Sequence, residues 1–313
     1  MTIEFRDRRA SRRVFSYRLP PCRRPASADE RRCPIAARTP DRNRWVEALR
    51  VIAAFGIVWY HSRYAPGRFI GYGGLIAFVV IATYYETRRV RPVALRVTAA
   101  RLLLPWVFWS IAFAAINLVQ RDPIFTAGGV LAGTAPHLWY LPFILAVICV
   151  IRFFKGKIAY PAIFALGVMI VTATGWRAAA DHIGPPLSQW VHAMPAALLG
   201  IVLAQGGRRW TLIAGIAIGA MLLLLSLTGV GVPYTVGCAA AAFALLEGAN
   251  PKALAFVERL SPLMFGVYLI HPVFLSLGHR LHLLNVPQIM FAFVAATLAA
   301  AAIRMTKLGR LVT

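Results

Sequence analysis

Residues 46–61 read VEALRVIAAFGIVWYH, an apolar run that opens with one acidic and one basic residue and closes with two aromatic residues and a histidine. A helix needs roughly 20 apolar residues to cross the ~30 Å hydrocarbon core of a bilayer. Runs of about this length recur along nearly all of the sequence after residue 45. The sequence therefore predicts an all-α, polytopic membrane protein with about ten transmembrane helices.

The composition supports a lipid environment. Of the 313 residues, 59% are hydrophobic and 14% are charged, whereas soluble domains carry about 25% charged residues. The net charge of +23 would also suit a nucleic-acid-binding protein. However, thirteen of the 34 basic residues precede residue 45, and the rest lie mainly at the ends of apolar runs. We therefore expect the bilayer as a partner and no nucleic acid.

Three regions are predicted along the chain. Residues 1–44 are rich in Arg and Pro, lack apolar periodicity, and contain no apolar core of a secretory signal, so we expect a disordered cytoplasmic tail. The alternative is that translation begins downstream of this stretch, and the sequence leaves that choice open. Residues 45–306 form the predicted membrane domain, and residues 307–313 form a cytoplasmic C-terminal tail.

The membrane domain divides into ten predicted spans. They cover residues 46–61, 69–85, 102–118, 138–151, 158–176, 187–204, 210–227, 232–246, 263–277 and 286–303.

The charges of the loops predict an orientation for these spans. Cytoplasmic loops carry an excess of Lys and Arg. With the N-terminus inside, fifteen basic residues fall on the cytoplasmic side and five on the outer side, leaving the tail aside. The bias predicts that both termini are cytoplasmic.

The first span carries the best candidates for function. Ionisable residues inside a span are costly and mark functional sites by default. Arg50 and His61 are eleven residues apart, close to three helical turns, so they share one face at a distance of roughly 16 Å along the axis. Glu47 precedes Arg50 by three residues and can pair with it. Alternatively, the charged residues anchor the helix at the headgroups and His61 caps its outer end.

Two further segments carry polar residues at or inside apolar runs. His271, after Tyr268 and before Pro272, lies inside the ninth span, where a buried histidine requires a polar partner. A proline kink with a satisfied core histidine explains the same pattern. Arg101, with Arg96 upstream, lies at the cytoplasmic entrance of the third span, where basic residues are expected in any case but can also grip phosphates.

Trp139 and its neighbours form the last candidate segment. They belong to the sequence HLWYL at residues 137–141, and an aromatic belt at the membrane interface explains them equally well. No Asp lies within a span and no carboxylates cluster with histidines, so we expect no metal site. The chemistry then rests on histidine and arginine.

In order along the chain, these segments resemble the motifs of acyltransferase family 3, integral membrane enzymes that O-acylate bacterial sugars. The resemblance covers roughly residues 44–306 and has two departures. The family's second helix commonly ends near a Phe-Phe-x-x-Ser-Gly segment, whereas this chain has AFVVIAT at residues 77–83. Thr98 stands where the family often has a second basic residue before the third helix, which leaves Arg96 as the substitute. The matching motifs are Glu47/Arg50/His61, Arg101 to Pro105, His137 to Leu141, and Phe265 to Pro272.

The resemblance implies an O-acyltransferase of the bacterial cytoplasmic membrane. It would move an acyl group, with acetyl favoured, from acyl-CoA to a hydroxyl of a cell-envelope or exported carbohydrate or glycolipid, without a permanently bound cofactor. A histidine with a near-neutral pKa suits activation of an alcohol.

Under this resemblance each candidate has a role. His61 would activate the acceptor hydroxyl or relay the acyl group. Arg50, paired with Glu47, and Arg101 would hold the donor's phosphates or stabilise the oxyanion, with Arg96 as a further binding residue. Trp139, Tyr268 and His271 would shape the cavity.

Two other classes of function remain open from the sequence. A proton-coupled transporter or flippase for a glycan or lipid would use the same buried histidines as a proton relay. A catalytically silent membrane scaffold would need neither Arg50 nor His61.

Overall fold

The computed structural model describes residues 43–120, 129–157, 161–171, 182–226, 231–247, 250–307 and 309. The predicted N-terminal tail and most of the predicted C-terminal tail lie outside these residues. Within them, every regular element is helical, and ten helices have eleven residues or more. They are α1 (Arg44–His61), α2 (Tyr72–Arg88), α3 (Leu95–Gln120), α4 (Tyr140–Phe154), α5 (Pro161–Val171), α6 (Leu187–Ala204), α7 (Arg208–Ser226), α8 (Gly231–Leu246), α9 (Met264–Arg280) and α10 (Asn285–Met305).

Shorter helical segments lie between these helices in the described residues. They are Arg68–Gly71, Gly129–Ala132, Lys252–Leu254, Val257–Leu260 and Ser261–Leu263. The first of these leads directly into α2, and the last leads directly into α9.

The prediction of an all-α, multi-pass membrane protein is confirmed. Each predicted span overlaps one of the ten helices, and five segments of the described residues are long and apolar enough to cross a membrane. Helices α4 and α8 are apolar but have only 15 and 16 residues. The 11 residues described for α5 extend roughly 16 Å, about half of the hydrocarbon core. The count of ten spans and the cytoplasmic location of both termini stay predictions.

Helix α2 lies at the centre of the bundle because small residues let its neighbours approach closely. A Cβ added at Gly74 would lie 2.3 Å from the carbonyl oxygen of Ala53 in α1. A Cβ added at Gly73 would lie 2.7 Å from the carbonyl oxygen of Pro233 in α8. Between apolar helices in lipid, such close backbone contact is a main source of association. These contacts fix the position of α1 against α2.

The start of α1 contacts residues more than 200 positions later in the sequence. The Asn43 side chain accepts hydrogen bonds from the backbone N–H groups of Trp45 and Val46, and so caps the helix. Its amide also donates to the carbonyl of Ala244 at 2.8 Å. Arg44 forms an ion pair with Glu258 at 2.7 Å. The capped start and the α2 contact together hold the face of α1 that carries Glu47, Arg50 and His61.

The periphery of the bundle is apolar. Helix α3 exposes Ile111, Leu118 and Val119, and α10 exposes Val294 and Leu298. An exposed apolar face of this length suits contact with lipid chains rather than with water. Helices α3 and α10 therefore lie at the lipid-facing edge, and α1, α2 and α9 enclose the polar residues.

Candidate active site

Three histidines from distant parts of the sequence meet at the end of α1. The ring centroids of His61 and His271 are 5.1 Å apart, those of His137 and His271 are 5.4 Å apart, and those of His61 and His137 are 6.3 Å apart. His137 and His271 are buried, whereas His61 is exposed to an internal cavity. His61 is thus the member of the cluster that a substrate can reach.

The proline at position 272 explains the orientation of His271. Pro272 lies inside α9 and has no N–H, so the carbonyl of Tyr268, one turn earlier, lacks its usual backbone donor. The His271 Nδ1 atom lies 2.7 Å from this carbonyl oxygen. A carbonyl oxygen only accepts, so this contact assigns the ring hydrogen to Nδ1 in the neutral imidazole. The buried Nε2 then carries a lone pair, and it has no hydrogen-bond partner among the described residues.

His137 is fixed by contacts with the same helix. Its Nε2 lies 3.3 Å from the carbonyl oxygen of Leu269, which places a hydrogen on that nitrogen. The hydroxyl of Tyr268 donates to the carbonyl of His137. The loop that precedes α4 is therefore fastened to α9 at the level of the histidines.

A buried polar pair positions the end of α1. Ser62, directly after His61, donates from its hydroxyl to Oε1 of Gln288 at 3.1 Å. Gln288 in α10 in turn donates from Nε2 to the carbonyl of Leu275 in α9 at 3.0 Å. Both polar residues are buried. This chain of two hydrogen bonds links α1, α10 and α9 one residue away from His61.

His61 stands between two cavities. The larger has a volume of about 1260 Å³ and is lined mainly by apolar and small residues of α3, α9 and the loops before α4 and α6. The smaller has a volume of about 530 Å³. Both are lined by His61, Pro136, His137 and Gln189. His61 therefore lies where the two cavities adjoin.

The predicted pairing of Glu47 with Arg50 is confirmed. Arg50 Nη1 lies 3.2 Å from Glu47 Oε1 and 3.4 Å from Oε2, and the Glu47 carboxylate is nearly buried. The guanidinium carbon of Arg50 also lies 6.0 Å from the ring centroid of Tyr85. The ion pair and His61 occupy opposite ends of one helix, roughly 16 Å apart along the axis.

A family model described as an acyltransferase domain matches residues 43–305. The match covers most of the chain and almost all of the described helices. The chain belongs to acyltransferase family 3. No curated protein and no solved structure matches the sequence. As a member of this family with several apolar helices long enough to span a bilayer, the protein is a membrane acyltransferase.

Two of the five residues predicted to bind substrate line a cavity, and a third lies behind them. Trp139 and Tyr268 line the smaller cavity. His271 lies behind them in ring contact with His61. Tyr268 has a second function, since its hydroxyl holds the backbone of His137.

Arg96 and Arg101 do not join the histidines. Both are exposed at the start of α3. The ring of Phe113 contacts the ring of His137, with centroids 5.2 Å apart. Phe113 lies twelve residues after Arg101 along the helix. Twelve residues correspond to roughly 18 Å. The structure thus places these arginines at the other end of the bundle from His61.

Arg152 organises the region around the start of α3. Its guanidinium forms an ion pair with Glu86 at 2.7 Å, and donates to the carbonyl of Val93 at 2.8 Å and to the hydroxyl of Thr98 at 3.0 Å. Thr98 is the position at which the sequence departs from the family pattern. In this chain a guanidinium from α4 reaches that position, which the sequence did not indicate.

Two residues close to His61 were not among the site residues predicted from the sequence. His137 was visible as the first residue of the HLWYL motif, but nothing local showed that its ring faces two other histidines. Gln288 had a weaker signal, a single polar residue near the start of the tenth apolar run. Among the described residues, no group of three or more His, Cys, Asp or Glu side chains is placed to hold a metal ion.

Proposed function

We propose that this acyltransferase moves an acyl group, with acetyl favoured, from acyl-CoA to a hydroxyl of a carbohydrate or glycolipid. The observation that carries the proposal is the cavity-exposed imidazole of His61 in contact with two buried histidines. Alcohol attack on a thioester needs a base that gains a proton near neutral pH, and imidazole is that group among the protein side chains.

The reaction balances with His61 as the base. The acceptor oxygen attacks the thioester carbonyl carbon while a ring nitrogen of His61 takes the hydroxyl proton. The carbon–sulfur bond then breaks, and the departing thiolate receives that proton. The products are the O-acyl ester and coenzyme A thiol. In the alternative order, His61 itself carries the acyl group between donor and acceptor.

The tautomer of His271 favours a role in orienting the ring of His61. Its buried Nε2 has no hydrogen-bond partner among the described residues, and the centroids of the His271 and His61 rings are 5.1 Å apart. A rotation of the His61 ring that brings one N–H within hydrogen-bond distance of this lone pair would leave the other ring nitrogen of His61 free to take a proton. The same logic of an oriented base recurs in enzymes that use a positioned imidazole.

The basic end of the bundle suits the donor. Arg50, Arg96 and Arg101 lie far from His61, and guanidinium groups pair well with phosphates. In this arrangement the nucleotide would stay near the basic end, and the pantetheine arm would reach along α1 toward His61.

The experiment supplies acetyl-labelled coenzyme A thioester and a carbohydrate acceptor to membranes that contain the wild type, His61→Ala or His279→Ala. His279 is the matched control, because its ring stacks on Tyr64 and lines neither cavity. We expect label on the acceptor with the wild type and with His279→Ala, and loss of more than 99% of it with His61→Ala.

Full transfer by His61→Ala would refute the role of His61. Movement of a glycan or lipid across the membrane without any transfer of label would refute the enzyme proposal in favour of a transporter. Label trapped on the protein itself after rapid acid quenching would identify the order in which His61 carries the acyl group.

A further inference from the structure

We propose that the smaller cavity beside His61 binds an acceptor carbohydrate that carries a carboxylate or a phosphate, and that Arg68 pairs with this anion. The inference rests on the proposed function, because it assigns the chemical class of the acceptor. It is carried by the lining of the cavity, by the unpaired charge of Arg68 and by the contrast with the larger cavity.

The lining of the smaller cavity suits a sugar. Its volume of about 530 Å³ lies within the range of small-ligand sites. Aromatic rings provide flat apolar faces for the C–H face of a pyranose, and polar side chains provide hydrogen bonds to its hydroxyls. The aromatic lining residues are Tyr60, Tyr72, Trp139 and Tyr268, and the polar ones are Ser188, Gln189 and His192.

Arg68 supplies an uncompensated positive charge to this cavity. Among the described residues that line this cavity, Arg68 is the only Lys, Arg, Asp or Glu. No ion pair or hydrogen bond of the described residues uses its guanidinium, whose carbon lies 5.0 Å from the ring centroid of Phe69. Arg68 is half-buried. A partly buried guanidinium with five free donors is a ready site for a carboxylate or phosphate.

The excess of Lys and Arg in cytoplasmic loops does not explain the position of Arg68. It belongs to a loop that is predicted to face outward, where the sequence has few basic residues. Of the other predicted outer arginines, Arg63 and Arg280 belong to the described residues, and neither lines this cavity.

The larger cavity lacks these features. Its lining is mainly apolar, and its arginine, Arg280, is exposed in the last turn of α9, where a cation interacts favourably with the helix dipole. The larger space therefore lacks the features that suit an anionic sugar, whereas the smaller one has them. Since His61 lines the smaller cavity, the hydroxyl of an acceptor bound there can reach its imidazole.

The test compares neutral and anionic acceptors in matched variants. Methyl glucoside is the neutral acceptor, and methyl glucuronoside and glucose 1-phosphate are the anionic ones. For Arg68→Gln we expect kcat/KM to fall about tenfold to a hundredfold with an anionic sugar, because a charge-assisted pair is lost. The value with methyl glucoside should stay within about twofold, and Arg68→Lys should recover part of the loss.

Arg63→Gln is the control. Arg63 is an exposed neighbouring cation whose guanidinium carbon lies 5.9 Å from the ring centroid of Tyr64, and it lines neither cavity. It should leave all acceptors unchanged. An equal loss with neutral and anionic acceptors, no loss at all, or the same loss in Arg63→Gln would overturn the inference.

A binding measurement separates this inference from the proposed function. Titration of methyl glucuronoside into the protein in phosphatidylcholine nanodiscs should quench tryptophan fluorescence, since Trp139 lines the cavity, and Arg68→Gln should abolish this signal. Binding without transfer of label would refute the proposed function alone. Transfer without preference for anionic acceptors would refute this inference alone. Loss of the signal in nanodiscs with phosphatidylglycerol would identify a lipid headgroup as the anion and would also overturn it.

Discussion

Replacing Gln288 with Leu tests whether the hydrogen bonds behind His61 position its imidazole for the proposed reaction. Leu has a similar volume but offers no acceptor to the buried hydroxyl of Ser62 and no donor to Leu275. An unsatisfied buried hydroxyl costs about 1–3 kcal/mol. The Leu275 carbonyl lies within α9, whose backbone supplies its other partner, so we expect total destabilisation of about 2 kcal/mol.

The effect on activity should be similar in free energy to the effect on stability, because a tenfold to 100-fold fall in rate corresponds to about 1.4–2.7 kcal/mol. Ser62 follows His61 directly, and displacement of a reacting group by about 1 Å can reduce the rate by about 100-fold. We therefore expect kcat for acyl transfer to fall between tenfold and 100-fold, with a smaller change in KM. The free energy of unfolding is measured by titration with sodium dodecyl sulfate in mixed micelles, and kcat is measured by transfer of labelled acetyl.

A double-mutant cycle makes the prediction specific to the pair. In Ser62→Ala combined with Gln288→Leu, the losses should overlap by about 0.6–1.7 kcal/mol, the range for interhelical hydrogen bonds in membrane proteins. Thr297→Val is the control, because its hydroxyl bonds within α10 to the Phe293 carbonyl. Strict additivity of the two changes, or a kcat equal to that of the wild type, would refute the positioning role.

Two further predictions concern packing. Glu86→Leu leaves the nearly buried Arg152 without its carboxylate partner and should lower the free energy of unfolding by about 3–5 kcal/mol. Glu258→Leu removes an ion pair that is about one-third exposed and should lower it by less than about 1 kcal/mol. Equal losses in the same titration would contradict the assignment of a buried pair. Gly74→Ala places a Cβ 2.3 Å from a carbonyl oxygen of α1 and should cost about 1–3 kcal/mol, while Gly215→Ala meets nothing within 4 Å and should be neutral or stabilising. A Gly74→Ala protein as stable as Gly215→Ala would refute the tight contact of α1 with α2.

The pairing of glutamate with arginine shows how far local reasoning extends. Glu47 and Arg50 are three residues apart on one helix, so their contact follows from helical geometry alone. The same geometry puts His61 on that face, and the structure agrees. The helices themselves follow from apolar composition over windows of about 18 residues, which is why most of their ends lie within a few residues of the predicted ones.

The contact between Arg152 and Thr98 shows where local reasoning ends. The two residues are 54 positions apart and belong to different helices. Nothing in either segment indicates the other, since both carry ordinary residues for a helix end at a membrane interface. The sequence therefore shows a departure from the family pattern at Thr98, and only the packing of α4 against α3 supplies the basic group.

By itself, the sequence determined that the protein is an all-α membrane protein, which family it resembles, and that Glu47, Arg50 and His61 share one face of α1. These properties depend on apolar content and helical periodicity, which are local. Only the tertiary structure brought His137 and His271 to His61 and opened two cavities beside His61. The histidine cluster depends on contacts between residues 76 to 210 positions apart, which no local pattern specifies.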